Sequence, residues 1–369
     1  MEENLLKNLT FDIGKPETTP FLNAIDIYQD GTVPIAQDEN GQWWAMSGHT
    51  HKGHIGVFKG TCLDDMKELY PIHTNFQTGG AGPAFDAVKY PEGIQSRGST
   101  WPFGLYIVPG TGRIICYFHN ETGWNGHGTG YIIKGKGDGE PDFRHIGMMH
   151  SDDQGRTWEF DRWVLTSEEV CFSEYYNPEG IAVKGQPKGM TCLGAGDFSI
   201  YDDPKGEFIY LFYNLCRYES DLNRWMNCDV YVARTRRRSD GLLGDFVKYY
   251  DGAFCEAGNL GRESKIVDSL WHPRVTWFEK LGCYVMSGIS ITPNSTFLVN
   301  DRLVMCTSHD LIHWSEPISL EYDGKPFGQH YGAIVPNSPG HPSVITGNDF
   351  SFLLCWNGSD VTRFRTTFC

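Results

Sequence analysis

Two aspartates, Asp30 and Asp197, open stretches of one form: an acidic residue, a short strand, a turn rich in Asp and Gly, then an aromatic strand. Asp30 runs through Thr32-Val33-Pro34-Ile35 to Trp43-Trp44, and Asp197 through Phe198-Ser199-Ile200-Tyr201 to Phe208-Ile209-Tyr210. Asp30 precedes Trp43 by 13 positions, and Asp197 precedes Tyr210 by 13. A matched pair of carboxylates suits the hydrolysis of a glycosidic bond. One group activates water or attacks, and another protonates the leaving oxygen. The acid must keep its proton near neutral pH, which takes burial or a neighbouring negative charge. Singly, either aspartate is ordinarily a cap of a strand or turn; the shared register is what points to chemistry.

The same form recurs from Trp101, His272 and His341, so five stretches begin at 30, 101, 197, 272 and 341, at intervals of 71, 96, 75 and 69. Glu263, in Gly261-Arg262-Glu263-Ser264, lies on the segment leading to His272. Glu121 ends an aromatic strand and opens the Gly-rich stretch from His119 to His145, which makes it a further candidate. Glu92 and Glu179 sit in repeated Pro-Glu-Gly-Ile segments and read as turns. Trp101, Trp124, Trp225 and Trp271 lie at strand starts or in loops, where an indole can stack on the apolar face of a sugar. Arg274 and His341 complete the candidate substrate contacts. No cofactor is required by this set. His272 and His341 also invite a structural Ca²⁺ held largely by water on the axis, whereas zinc would need three or four ligands.

These residues need elements to carry them. Strands and turns alternate throughout, with no long amphipathic helix, and a period near seventy residues is that of four strands plus loops. The reading is an all-β, five-bladed β-propeller with four-stranded blades. Its blades span 30–100, 101–196, 197–271, 272–340 and 341–369, and segment 1–29 supplies through Leu5–Ile13 the strand that closes the last blade. Closure removes exposed sheet edges. Innermost strands then converge on an axis, and their first residues line a funnel. A second hairpin follows each inner one, seen in Ser151-Asp152-Asp153-Gln154-Gly155-Arg156-Thr157-Trp158 and in Ser308-His309-Asp310-Leu311-Ile312-His313-Trp314. Its Asp-Gly and Ser-Asp turns are structural.

This layout resembles the five-bladed propeller glycoside hydrolases of families 43, 32 and 117. Their inner strands read as Asp, short strand, Asp/Gly turn and aromatic strand, as in Asp197 to Tyr213. Their outer hairpins resemble Ser308 to Pro317. The resemblance implies a base at Asp30, a second aspartate at Asp197 and an acid 50–70 positions later. Where family 43 has a glutamate, this register holds His272, and family 117 is similar in using a histidine acid; the resemblance thus implies His272 as one candidate proton donor and Glu263 as the other, with both left open. It implies a carbohydrate substrate and a hydrolase acting on O-glycosyl bonds of oligo- or polysaccharides.

Composition sets the other bounds. A net charge of −15 argues against a nucleic-acid partner, whose footprint is a basic face. The one basic run, Arg234 to Arg238, abuts Ser239-Asp240-Gly241 and reads as a hairpin tip. No apolar stretch is long enough for a membrane helix. The acidic N-terminus lacks an apolar run, and 11 scattered cysteines show no paired spacing, which predicts a cytoplasmic protein with reduced thiols. Other classes stay open. Ser151–Trp158 resembles the Asp-box of sialidases, whose arginine triad Arg97, Arg262 and Arg274 would have to supply. A lyase would pair His272 with a tyrosine and Arg274. A non-catalytic carbohydrate-binding propeller is the remaining class.

Overall fold

The computed structural model describes residues 3–18, 31–48, 54–73, 99–121, 143–170, 188–204, 206–222, 224–226, 228–290, 302–328, 331–356 and 360–369. Over these residues the protein is all-β, apart from a 3-10 turn at Leu5–Asn8. Asp30, Trp124, Arg97, Glu92 and Glu179 lie outside the described residues.

The strands form successive antiparallel runs. The first is Ile35–Gln37, Trp43–Gly48, His54–Gly60 and Lys67–His73. The second is Ser99–Ile107, Ile114–Glu121, Arg144–Ser151 and Glu159–Leu165. The third starts with the long pair Met190–Asp202 and Phe208–Glu219 and continues through Val230–Arg236, Val247–Tyr250 and Ala253–Ala257. One parallel pairing, Gly194 with Arg144, joins the second run to the third. The fourth is Trp271–Phe278, Cys283–Ser290, Arg302–Ser308 and Ile318–Ser319. The last is Ala333–Pro336, Asp349–Trp356, Asp360–Phe368 and the N-terminal strand Phe11–Thr18.

The N-terminal strand pairs antiparallel with the C-terminal one, Phe11 opposite Phe368 and Thr18 opposite Thr362. It lies further along the chain than Leu5–Ile13. Asn4 caps the Leu5–Asn8 turn by accepting from the Leu6 amide, and Leu6 is buried there, so the first apolar residues fill the core as a turn.

The core lies between runs. Trp44 and Met46 of the first pack with Leu105 and Phe118 of the second. Tyr106 and Tyr117 pack with Phe198 and Leu211, and Tyr201 and Phe212 with Val275 and Met286. Phe278 and Met305 pack with Phe350 and Phe352. A fifth cluster joins the last run to the first, Val335 and Leu353 meeting Ile35 and Trp43. Burying each such side chain stabilises by about 1.5–3 kcal/mol.

Both outer hairpins use one device. The Ser151 hydroxyl accepts from the Gly155 amide and the Ser308 hydroxyl from the Leu311 amide. The Trp158 and Trp314 indoles donate back to the Gly155 and Leu311 carbonyls. The basic run is the hairpin tip its sequence predicts, with the Gly241 amide donating to the Arg238 carbonyl.

The last run corrects one register. His341 does not start the first strand of this run. That strand is Ala333–Pro336, and Val344–Ile345, just past His341, pairs in parallel with the Trp271–Phe278 strand instead. The residue that leads into Ala333–Pro336 is Tyr331.

Candidate active site

Three non-glycine residues have left-handed backbone on or just before strands that begin a run: Asp197 (φ 47°), within Met190–Asp202, His272 (φ 54°), second in Trp271–Phe278, and Tyr331 (φ 64°), just before Ala333–Pro336. Such angles are uncommon outside glycine. The pairing register shifts between Gly196 and Ser199 and again between Trp271 and Arg274. A bulge of this kind breaks strand alternation and re-aims the side chain beside it. The same local break occurs at both residues, and the Asp197 carboxylate and the His272 imidazole lie 3.8 Å apart.

The Asp197 carboxylate is buried, with both of its hydrogen-bond donors on one oxygen. Its Oδ2 accepts from the Trp271 indole Nε1 at 2.8 Å and from the Cys216 thiol at 3.2 Å. Its Oδ1 faces His272 Nδ1 at 3.8 Å. Burial pushes its pKa up, but the neighbouring His272, His119 and Arg144 and the indole bond outweigh burial and hold it well below the carboxylate range. Asp197 is therefore an anion across the physiological range: an electrostatic or basic group, not a proton donor.

Behind it runs a second chain. The Asp197 amide donates to His119 Nδ1 at 3.2 Å, and His119 Nε2 lies 3.0 Å from Glu121 Oε1. With Nδ1 accepting, the proton of a neutral His119 sits on Nε2 and points to Glu121. Arg144 closes the chain on Glu121 Oε1 at 3.0 Å. For Glu121, burial and the Asp197 charge raise the pKa, while Arg144 and His119 more than offset them, so its net shift is downward. Gly196 leaves room for the chain, because a Cβ there would lie 2.4 Å from His119 Cε1.

His272 is buried between rings. Its backbone amide donates to Asn214 Oδ1 at 2.9 Å. Trp271 stacks on it at 5.3 Å with 9° between planes, and Tyr331 meets it edge-on at 4.4 Å.

The chain next to Asp30 runs beside this group. Thr32 Oγ1 donates to the Phe198 carbonyl at 2.9 Å. Gly31, with φ 141°, abuts the Phe103 ring, and Phe103 stacks on His119 at 5.4 Å. A Cβ at position 31 would lie 2.0 Å from that ring, so Asp30 is followed by the residue the packing demands.

Other predicted site residues take different places. Glu263 lies in a separate buried network: Lys248 Nζ and the Tyr213 hydroxyl each lie 2.6 Å from its Oε2, and Ser167 donates to its Oε1 at 3.2 Å. Lys248 also donates to the Thr166 and Gly261 carbonyls. Trp101 and Trp271 are buried, the first edge-on to His119 at 5.4 Å, so neither offers a face to a sugar. Arg274 is buried beyond His272 and donates to the Val33 carbonyl at 2.9 Å. The proposed arginine triad does not converge, because Arg262 is exposed and bound to Glu256. His341 sits past the far end of Ala333–Pro336, lining a cavity of about 380 Å³ with Tyr201, Trp277 and Tyr284. Burial first, then Arg237 and Arg274, push its pKa down to about 4. His272 lies at the start of Trp271–Phe278, whereas His341 lies beyond the end of Ala333–Pro336, so the two do not share a site. No cluster of three or more His, Cys, Asp or Glu suited to a metal occurs among the described residues.

Sequence reasoning missed His119, Arg144, Cys216 and Tyr331. The alternation His119-Asn120-Glu121 on one strand was the available signal for the first, since it sets His119 and Glu121 on one face.

No protein-family model matches the chain, and no curated protein matches it. Solved structures do. The catalytic domain of a GH62 α-L-arabinofuranosidase from Coprinopsis cinerea is similar over 97% of this chain and 96% of its own, with 10% identity and a TM-score of 0.48. A family 117 glycoside hydrolase from Zobellia galactanivorans is similar over 99% of this chain and 92% of its own, with 11% identity and a TM-score of 0.48. An endo-arabinase from Bacteroides thetaiotaomicron is similar over 95% and 97%, with 15% identity and a TM-score of 0.46.

Proposed function

We propose that the protein is a glycoside hydrolase built as a five-bladed propeller, with Asp30, Asp197 and His272 as its reacting groups. The observation that carries this is the Asp197 carboxylate, buried, held ionised and set 3.8 Å from the His272 imidazole. The circuit of cores in which the last strand run packs on the first supports the ring. Within it the innermost strands start at one mouth, where Asp197, His272 and Tyr331 gather.

His272 acts as the general acid. The Asp197 anion favours a proton on the imidazole, and Trp271 and Tyr331 hold the ring in one orientation. Passing that proton to the glycosidic oxygen releases the leaving sugar as an alcohol. Asp197 then stabilises positive charge developing on the sugar ring, a buried and preorganised anion being most effective there. Asp30 activates the water that adds to the anomeric carbon, or attacks that carbon itself. Glu121 and Arg144 hold His119, and His119 holds the Asp197 backbone. Glu263, neutralised by Lys248, is assigned to the scaffold.

Aryl glycosides differing in leaving group test the roles. His272→Ala should abolish turnover of a poor leaving group and largely spare a good one, which needs no proton. Glu263→Gln should affect both alike. Full activity in Asp30→Asn or Asp197→Asn would sink the assignment.

One contact favours a second reading. Tyr331 lies 4.4 Å from His272, and a tyrosine–histidine pair can remove the proton α to a uronate carboxylate. Arg274, which would neutralise that carboxylate, is buried on Val33 instead. Lyase action would leave a conjugated double bond in the product, read by ultraviolet absorbance; hydrolysis leaves none.

A further inference from the structure

Four cationic side chains are buried among the described residues: Arg144, Lys248, Arg274 and Arg363. Three of them hold a carboxylate: Arg144 holds Glu121, Lys248 holds Glu263, and Arg363 holds Asp64. Arg274 holds none among the described residues. It is 2% exposed, its Nη1 makes one hydrogen bond, to the neutral Val33 carbonyl, and its Nε is sealed from solvent without an acceptor. A guanidinium has five N–H donors and does not escape burial by losing its proton. Burial pushes the pKa of Arg274 down only to about 10, so the charge persists at neutral pH. The known charges around it do not help, since Arg237 stands with Arg274 in disfavouring a proton on His341. An isolated buried charge is among the costliest features a fold can carry.

Its position shows where compensation can come from. Arg274 leaves the Trp271–Phe278 strand and reaches Val33, on the chain entering the first strand run. In the proposed ring these runs are not adjacent, so the side chain crosses the axis. Thr32 makes a second such crossing, to the Phe198 carbonyl. Propellers have a central channel on that axis. Substituents of a sugar in the funnel do not reach a group this buried, whereas a small ion in the channel does.

We propose that the central channel binds a small inorganic anion, of the halide class, against the free Nε edge of the Arg274 guanidinium. The anion supplies the counter-charge that the other three buried cations obtain from carboxylates. It thereby ties together strand runs that no sheet joins. This inference rests on the ring reading but not on the catalytic one.

The test is thermal unfolding of the full chain in chloride, with gluconate replacing it at fixed ionic strength. The expected result is a saturating rise of about 2–5 °C with chloride, reproduced by bromide. Arg274→Met, which keeps the length of the side chain and removes its charge, should abolish that dependence. Superposable chloride and gluconate curves for the parent protein, or an undiminished halide effect in the variant, would overturn the proposal. Should Arg274→Met not fold, crystals of the parent protein soaked in bromide decide. An anomalous peak at Arg274 supports the site, and a channel without one refutes it. None of these readouts uses glycoside turnover, so an inactive protein and an anion-free channel are separate results. The crystals also report the ring itself.

Discussion

Asp197 combines burial, two donors on one oxygen and a neighbouring imidazole, and each part makes a distinct prediction. Asp197→Asn keeps the shape and removes the charge. It should cut turnover by about 10²–10⁴-fold without unfolding the protein, checked by steady-state kinetics beside circular dichroism. The donors can be separated. Cys216→Ala removes one, and Trp271→Phe the stronger. A hydrogen bond to a charged group contributes about 1.5–3 kcal/mol, so Trp271→Phe should lower kcat about 10–100-fold, while Cys216→Ser, which keeps a donor, should change it little. The pH dependence follows from the sign of the shift. The folded pKa of Asp197 lies below its ordinary value of 3.8, so its stabilising contribution is complete above that value and is lost as pH falls through the folded pKa. Acid unfolding curves of Asp197→Asn should therefore be flatter below about pH 4 than those of the parent protein.

At the scale of elements, the question is which buried charges react and which hold strands together. Lys248 links the Val247–Tyr250 strand to the Thr166 and Gly261 carbonyls, and Glu263 is its counter-charge. Removing one partner of a buried pair costs about 3–5 kcal/mol, so Glu263→Ala should lower the denaturant midpoint strongly. The specific activity of the fraction that remains folded should be kept. Gly194 pairs with Arg144 between the second and third runs, which also meet at Thr166 and Asn259. With φ 109° and a Cβ that would sit 2.3 Å from the Arg144 carbonyl oxygen, it admits no side chain without backbone movement. Gly194→Ala should cost at least about 1–3 kcal/mol and, by displacing Arg144, weaken catalysis too.

For the whole molecule, closure is the issue. The first and last strands of the chain pair with each other, and Leu6 fills the core beside them. Deleting residues 1–18 would expose the Asp360–Phe368 edge and open the last interface. Exposed edges template pairing with other chains. The truncated protein should unfold at lower temperature and aggregate in light scattering, while the intact chain stays dispersed.

The sequence by itself determined the all-β class and the hairpin repeat, and it singled out Asp197 and His272, which the fold sets 3.8 Å apart. Those features are local: an alternating strand, a turn and a strand start leave their pattern in adjacent residues. Only the tertiary structure decided which side chains meet. It sank Trp101 and Trp271 against histidines, since an indole beside a buried imidazole packs better than it stands in water. It locked Glu263, in a loop, onto Lys248, fifteen positions earlier on the Val247–Tyr250 strand. It put Tyr331, not His341, ahead of the first strand of the last run, because that strand is four residues long and the following apolar pair joins a neighbouring run in parallel. A strand that short has little periodicity of its own, and a parallel partner from another run leaves no trace in the residues beside it.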